Sequence, residues 1–163
     1  MRMPLKRSFP PVANTATRLL ICGSLPGERS LAERRYYAHP QNQFWRLMSA
    51  VIGRDLVALD YGARLAALLD AHVGLWDVVA SAHRTGSTDA AIRNHTGNDL
   101  AALAATLPNL RAVAFNGATA AKLGTKTLQG TSLALIPLPS SSPLHTVGLE
   151  AKLAAWVELR RWT

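Results

Sequence analysis

Hydrophobic positions in this chain fall in short runs, separated by polar, turn-rich stretches. Arg18–Cys22, Arg111–Phe115 and Leu133–Leu138 are near-continuous apolar runs of strand length, the pattern of strands covered on both faces. Val73–Val79 is a further strand-like run, interrupted by the polar Asp77. Helical patterns lie between them. Phe44–Ile52 is stopped by Gly53, and Leu59–Leu69 is rich in Ala and Leu. Asn98 is a good cap for Asp99–Leu107, which Pro108 ends. A short helix to Leu123 follows Asn116-Gly117, and Gly148–Trp162 is the last helix. Ser81–Asn94 is polar and turn-rich. Strands alternating with helices predict an α/β fold: a three-layer α/β/α sandwich around a central, mainly parallel four-stranded sheet. Residues 18–163 are expected to form a single domain, with residues 1–17 as a basic N-terminal arm.

In such sheets ligands sit beyond the carboxyl ends of the strands. The unusual segments all fall there. They are the loop after the first strand, Asp77 to Asn94, Asn116-Gly117, and the PSSSPLHT loop after the fourth strand. They should converge on one crevice. The first loop, Gly23 to Trp45, holds two Gly, two Pro, a Tyr pair, a Phe-Trp pair and a lone Asn. A loop that only connects does not need four aromatics, whereas one that grips a flat ring does.

Charge and motifs narrow the chemistry. The net charge is +8, and residues 1–54 carry nine of the 18 Lys and Arg but two of the ten acids. That asymmetry favours a polyanionic partner, because phosphate contacts release condensed counterions; a solubilising surface is the plainer alternative. No apolar run reaches the ~20 residues of a membrane span, and the N-terminus lacks a signal-peptide core, so a cytoplasmic protein without membrane contact is expected. There is no GxGxxG, no GxxxxGK[ST] and no GxSxG. One Cys and five scattered His offer no metal site, so no metal and no cofactor are expected. The four lysines lie outside the unusual loops, which argues against Schiff-base chemistry.

The segments GSLPG and YAHPQNQFW, together with PSSSPL near the end, resemble the uracil-DNA glycosylase superfamily. GSLPG, the paired Tyr and PSSSP lean toward its hypoxanthine-DNA glycosylase branch, with the mismatch-specific uracil/thymine glycosylases also similar. The resemblance implies an enzyme acting on DNA with deaminated bases; with no lysine in the motifs it is expected to be monofunctional, and a monomer is expected. It would extrude hypoxanthine or uracil, cleave its N-glycosidic bond with water, and leave an abasic site.

The resemblance also implies roles. Tyr37 would stack on the extruded base, with Tyr36 in support; a Tyr in the core under the loop is the alternative. Backbone amides near Gly23, Ser24 and Leu25 would bind the base carbonyl. The family's water-orienting Asp or Asn falls at Leu25, which can do neither, so the role passes to Asn42, itself equally suited to capping the Phe44 helix. Asp77 would read the base. An ionised carboxylate accepts from the N1–H of hypoxanthine or the N3–H of uracil and repels the bare lone pair of adenine or cytosine; a salt bridge to Arg84 is the competing role. Ser140 stands where many relatives place a His or Asn that helps the departing base. Ser141, Ser142, Pro143, Leu144 and His145 would contact DNA, with Leu144 as the wedge filling the vacated stack. Arg84, Arg93, Arg34 and Arg35 are candidate phosphate contacts. Asn116-Gly117, the sharp exit of the third strand, reads equally as a frame of the pocket and as turn chemistry, and Ser87 and Asp89 read as residues that close turns. A damaged-DNA binder without catalysis, and an enzyme acting on a free nucleoside, remain competing readings.

Overall fold

A computed structural model describes residues 5–163. Four parallel strands form the central sheet: β2 (Leu19–Gly23), β3 (Val73–Asp77), β6 (Ala112–Asn116) and β7 (Ala134–Leu138), in the order β3-β2-β6-β7. All three pairings are parallel, as short apolar runs joined by helical crossovers require. Alternation along β2 divides the core. Leu19 and Ile21 pack with α2 (Phe44–Ile52), α3 (Tyr61–Asp70) and α6 (Leu149–Trp156) on one face. Leu20 and Cys22 pack with α4 (Leu100–Ala105) and α5 (Ala118–Thr127) on the other. The three layers and the four-stranded parallel sheet therefore stand as expected. Pro137 is tolerated because β7 is an edge strand. Among the described residues no helix is long and apolar enough to cross a membrane.

The run expected as one strand, Val73–Val79, is instead two. β3 stops at Asp77, and β4 (Val79–His83) turns away into a separate antiparallel sheet, ordered β1-β4-β5, with β1 (Leu5–Arg7) and β5 (Arg93–Gly97). β5 is exposed at every position, so its RNHTG sequence has no apolar period to betray a strand; its backbone bonds to β4 hold it. Residues 5–12 lie along the domain. Val12 bridges Leu75 at the edge of β3, and the carbonyls of Phe9 and Pro10 accept from the Trp76 indole and the Tyr36 hydroxyl, each at 3.0 Å. A short α1 (Glu28–Glu33) lies within the first loop.

Gly124 shows how closely α5 packs on the sheet. A Cβ there would lie 2.2 Å from the buried ring of Phe115. Helix propensity alone favours Ala over Gly by about 1 kcal/mol, but overpacking a closed core costs about 1–3 kcal/mol. Gly124→Ala is therefore expected to destabilise the domain by ~1–2 kcal/mol in a urea melt, against the propensity trend.

Candidate active site at the carboxyl ends of the strands

The loops after β2, β3, β6 and β7 close around a cleft of about 430 Å³. Gly23, Ser24, Leu25, Tyr37, Asn42, Asp77 and the whole Ser140–His145 loop line it; Arg84 does not. The crevice expected from the sheet topology thus gathers residues that are far apart in sequence.

Its floor is built on Gly23, the last residue of β2. Gly23 pairs with Asp77 at the end of β3, and a Cβ on it would lie 2.7 Å from Asp77 Oδ1 and 3.2 Å from the Tyr37 hydroxyl. Only glycine lets those two side chains meet there. Tyr37 holds a left-handed backbone at φ 53°, rare for a bulky residue and the kind of strain that collects at functional sites. Phe44 stacks on its ring at 3.8 Å, and the Trp45 indole donates to its carbonyl. Phe44 and Trp45 are both buried and hold the loop from below. Tyr36 is a core residue, its amide donating to the Tyr61 hydroxyl.

Two buried polar atoms on this floor have no hydrogen-bond partner: Asp77 Oδ2 and the Tyr37 hydroxyl. Burial, with Asp89 nearby, pushes Asp77 up to about 7, and Arg84 offsets only part of this. Burial and the Asp77 charge raise Tyr37 well above the usual phenol range, so it stays protonated. No ion pair joins Asp77 to Arg84.

Arg84 corrects one expectation. It is fully buried, so it cannot reach a phosphate. Its guanidinium donates to the carbonyls of Leu25, Pro26 and Gly86, tying the β2 loop to the segment after β4. Lys6, from β1, reinforces the same junction. Its Nζ donates to the Gly86 carbonyl at 2.6 Å and pairs with Glu28 at 3.3 Å. Arg93 is exposed but turns back onto the carbonyls of Ala90 and Ile92, while Arg34 and Arg35 are exposed.

The opposite wall is fastened in the same manner. Asn116, buried at the end of β6, donates to Ser141 Oγ and accepts from the Ser141 amide, both at 2.8 Å. Ser141 is buried, so its side chain holds the loop and does not face outward to DNA. Lys152, buried on α6, donates to the carbonyls of Ser142 and His145. Ser140 is half-buried, Ser142 Oγ accepts from the Leu144 amide, and Pro143, Leu144 and His145 are exposed, Leu144 by 60%. The Gln43 amide donates to the Ser141 carbonyl at 2.9 Å, joining this wall to the aromatic loop.

Asn42 lines the cleft, and its Oδ1 accepts from the Phe44 amide at 2.9 Å. The helix-capping role is thus present, although Gln43 is the formal cap position. An amide oxygen has a second lone pair, so the cap leaves room for a water. The Leu25 side chain is buried against Val79 and Ala82. Beside it, Ser24 Oγ donates to Asp89 Oδ1 at 2.6 Å, and Asp89 also lines the cleft. The sequence placed Asp89 and Asn116 in segments expected at the crevice, with pocket-framing by Asn116 weighed against turn chemistry, but assigned no function to Lys6 or Lys152.

The sequence pattern of the Uracil DNA glycosylase superfamily matches residues 10–160. The chain belongs to this superfamily. A protein of Methanosarcina barkeri named hypoxanthine DNA glycosylase is 38% identical to it, over 94% of this chain and 96% of that protein. A protein of Methanosarcina acetivorans with the same name is 39% identical, over 85% and 87% of the two chains. The solution NMR structure of a protein from M. acetivorans, described provisionally as a uracil DNA glycosylase, superimposes with a TM-score of 0.88 at 35% identity, covering 97% of this chain and 98% of the other. The cleft described above is therefore the crevice of a uracil-DNA-glycosylase-type fold.

Two outcomes follow from these environments. Arg84→Leu takes the donor from the Leu25 and Pro26 carbonyls, Gly86 keeping Lys6, and should cost about 2–4 kcal/mol in a thermal or urea melt. The dependence of log Kd for duplex DNA on log salt should keep its wild-type slope, since a lost phosphate contact would reduce it by about 0.9. Asp77 works in the other direction. A carboxyl whose pKa rises from 3.8 unfolded to about 7 folded adds stability that is fully present below the unfolded value and lost as pH climbs through 7. The stability of Asp77→Asn relative to wild type should thus increase from pH 4 to pH 8, by up to about 4 kcal/mol, in melts run across that range.

Proposed function

We propose that this chain is a monofunctional DNA glycosylase that extrudes hypoxanthine or uracil from DNA and hydrolyses its N-glycosidic bond, leaving an abasic site. The observation that carries this reading is the buried, unpartnered Asp77 Oδ2 on the floor of the cleft. An acceptor without a donor is costly in a finished core, and a deaminated base supplies the missing N–H. Hypoxanthine at N1 and uracil at N3 each donate there. Adenine and cytosine present a lone pair and would leave Asp77 both buried and repelled. With its carboxyl near 7, Asp77 is poised so that an incoming N–H donor draws it into the ionised form.

The remaining roles follow from position. Tyr37, backed by Phe44 on one side, would stack its other face on the base. Asn42 would orient the attacking water with the Oδ1 lone pair that its cap leaves over. Leu144, exposed at the tip of a loop fastened from behind by Asn116 and Lys152, is the wedge. Ser140 would donate to the departing base. One chain completes the cleft, so a monomer suffices, acting on DNA in the cytoplasm. The names of the two Methanosarcina relatives favour hypoxanthine as a substrate.

A second reading is a damaged-DNA binder, and the buried, apolar surroundings of Leu25 favour it. Incubation with deoxyinosine- and deoxyuridine-containing duplexes separates the two. The glycosylase reading expects free base and an alkali-labile site, while tight binding without release selects the binder. Asn42→Ala should lower single-turnover excision by roughly 100-fold while Kd for the duplex moves little. The accompanying loss of the Phe44 amide's acceptor should cost about 1 kcal/mol of stability. A stability loss with an unchanged rate would leave Asn42 as a cap alone.

A further inference from the structure

Cleavage of an N-glycosidic bond builds positive charge on the sugar, and the usual position for a carboxylate, Leu25, holds an aliphatic side chain packed into the apolar cluster with Val79 and Ala82. Three carboxylates line the cleft: Glu28, Asp77 and Asp89. Glu28 is paired with Lys6. Asp77 lies on the floor beneath Gly23, where the base edge is read. Asp89 is half-buried, forms no ion-pair contact among the described residues although it feels the charge of Arg84 behind the wall, and is fixed by the Ser24 hydroxyl at 2.6 Å, one residue before Leu25. We infer that Asp89, held by Ser24, is a catalytic residue that supplies the negative charge facing the cationic sugar, from the side of the cleft that Leu25 leaves without one.

The inference rests on the glycosylase reading. The C1′–N bond breaks with its electron pair departing on the base, and the oxygen of water bonds to C1′. The proton that water loses balances the one the departing base takes up. Asp89 forms no bond, and its charge stabilises the transition state more than the neutral ground state, which is what accelerates a step. The segment that carries it is anchored for this purpose. Arg84 and Lys6 both grip the Gly86 carbonyl, and Ser87 Oγ accepts from the Glu28 amide, so Asp89 is presented from a braced turn. Charge of this kind works only when it is held in place before the reaction.

Single-turnover excision from a deoxyinosine duplex at saturating protein is the test, run with wild type, Asp89→Asn, Asp89→Glu and Ser24→Ala. Affinity is read separately on a duplex with a tetrahydrofuran abasic site. Asp89→Asn should lower the rate ~100-fold with Kd within about threefold of wild type. Asp89→Glu should recover at least ~10-fold of that loss, and Ser24→Ala, which frees the carboxylate without removing it, should fall between. A rate for Asp89→Asn within threefold of wild type overturns the assignment. So does an unchanged plateau rate with a displaced pH midpoint, which would make Asp89 a tuner of Asp77. A matching loss of Kd and melting temperature would make it a structural residue. Wild-type protein that releases neither hypoxanthine nor uracil removes the glycosylase reading and this inference together, whereas active wild type with an indifferent Asp89→Asn removes only the inference.

Discussion

The cleft depends on buried cations that grip main-chain carbonyls. Arg84 holds Leu25, Pro26 and Gly86; Lys6 holds Gly86 from the other side; Lys152 holds Ser142 and His145. A loop buried against its neighbours has carbonyls that neither a helix nor a sheet satisfies, and each would otherwise be costly. A long side chain with several donors answers several carbonyls at once and fixes the loop relative to the strand or helix it comes from. The burden falls on the cation, whose desolvation is repaid only if its donors are used. Loop and brace therefore stand or fall together, and the loops they hold are the ones that line the cleft.

With the walls fixed in this way, the floor can remain unsatisfied. Asp77 Oδ2 and the Tyr37 hydroxyl are buried without partners, and Tyr37 sits in a left-handed backbone. These features each oppose folding, and they occur within one small volume around Gly23. Stability drawn from the two apolar layers and the braced loops sustains them. The arrangement is what a binding site requires: hydrogen-bonding capacity left over in the folded state, and a rigid frame that prevents it from being used up internally.

The central sheet was legible because strands buried on both faces must be apolar throughout, as in Leu19–Cys22 and Ala112–Phe115. The second sheet was not, because β1 has three residues and β5 is exposed along its length, so neither needs an apolar period. Arg84 was misplaced for a related reason. A lone Arg next to a Thr-Gly turn looks like a surface residue, and its burial depends on carbonyls almost 60 residues away in sequence. Lys152 carried a usable sign. It falls on the face of α6 shared with Leu149 and Trp156, so a helical projection places it among core residues. Asn116 and Asp89 lacked even that, since Asn-Gly and Asp in a polar loop are ordinary turn chemistry until the fold brings Ser141 and Ser24 to them.

The two signs of charge in this molecule serve different distances. The net charge of +8 acts at range, drawing a phosphate backbone toward the surface through a field that salt screens. Inside the cleft the balance reverses: Glu28, Asp77 and Asp89 line it, Arg29 is the one lining guanidinium and is paired with Glu33, and Arg84 is spent on carbonyls behind the wall. From behind the wall Arg84 offsets only part of the upward shift of Asp77, whereas facing the cleft it would pair with the carboxylates directly. Burying that arginine lets it brace the loop while leaving the interior negative. The burial that makes the brace necessary also works against the charge inside the cleft, pushing Asp77 toward its neutral form, so an acidic interior is sustained only where no cation is allowed to pair with it.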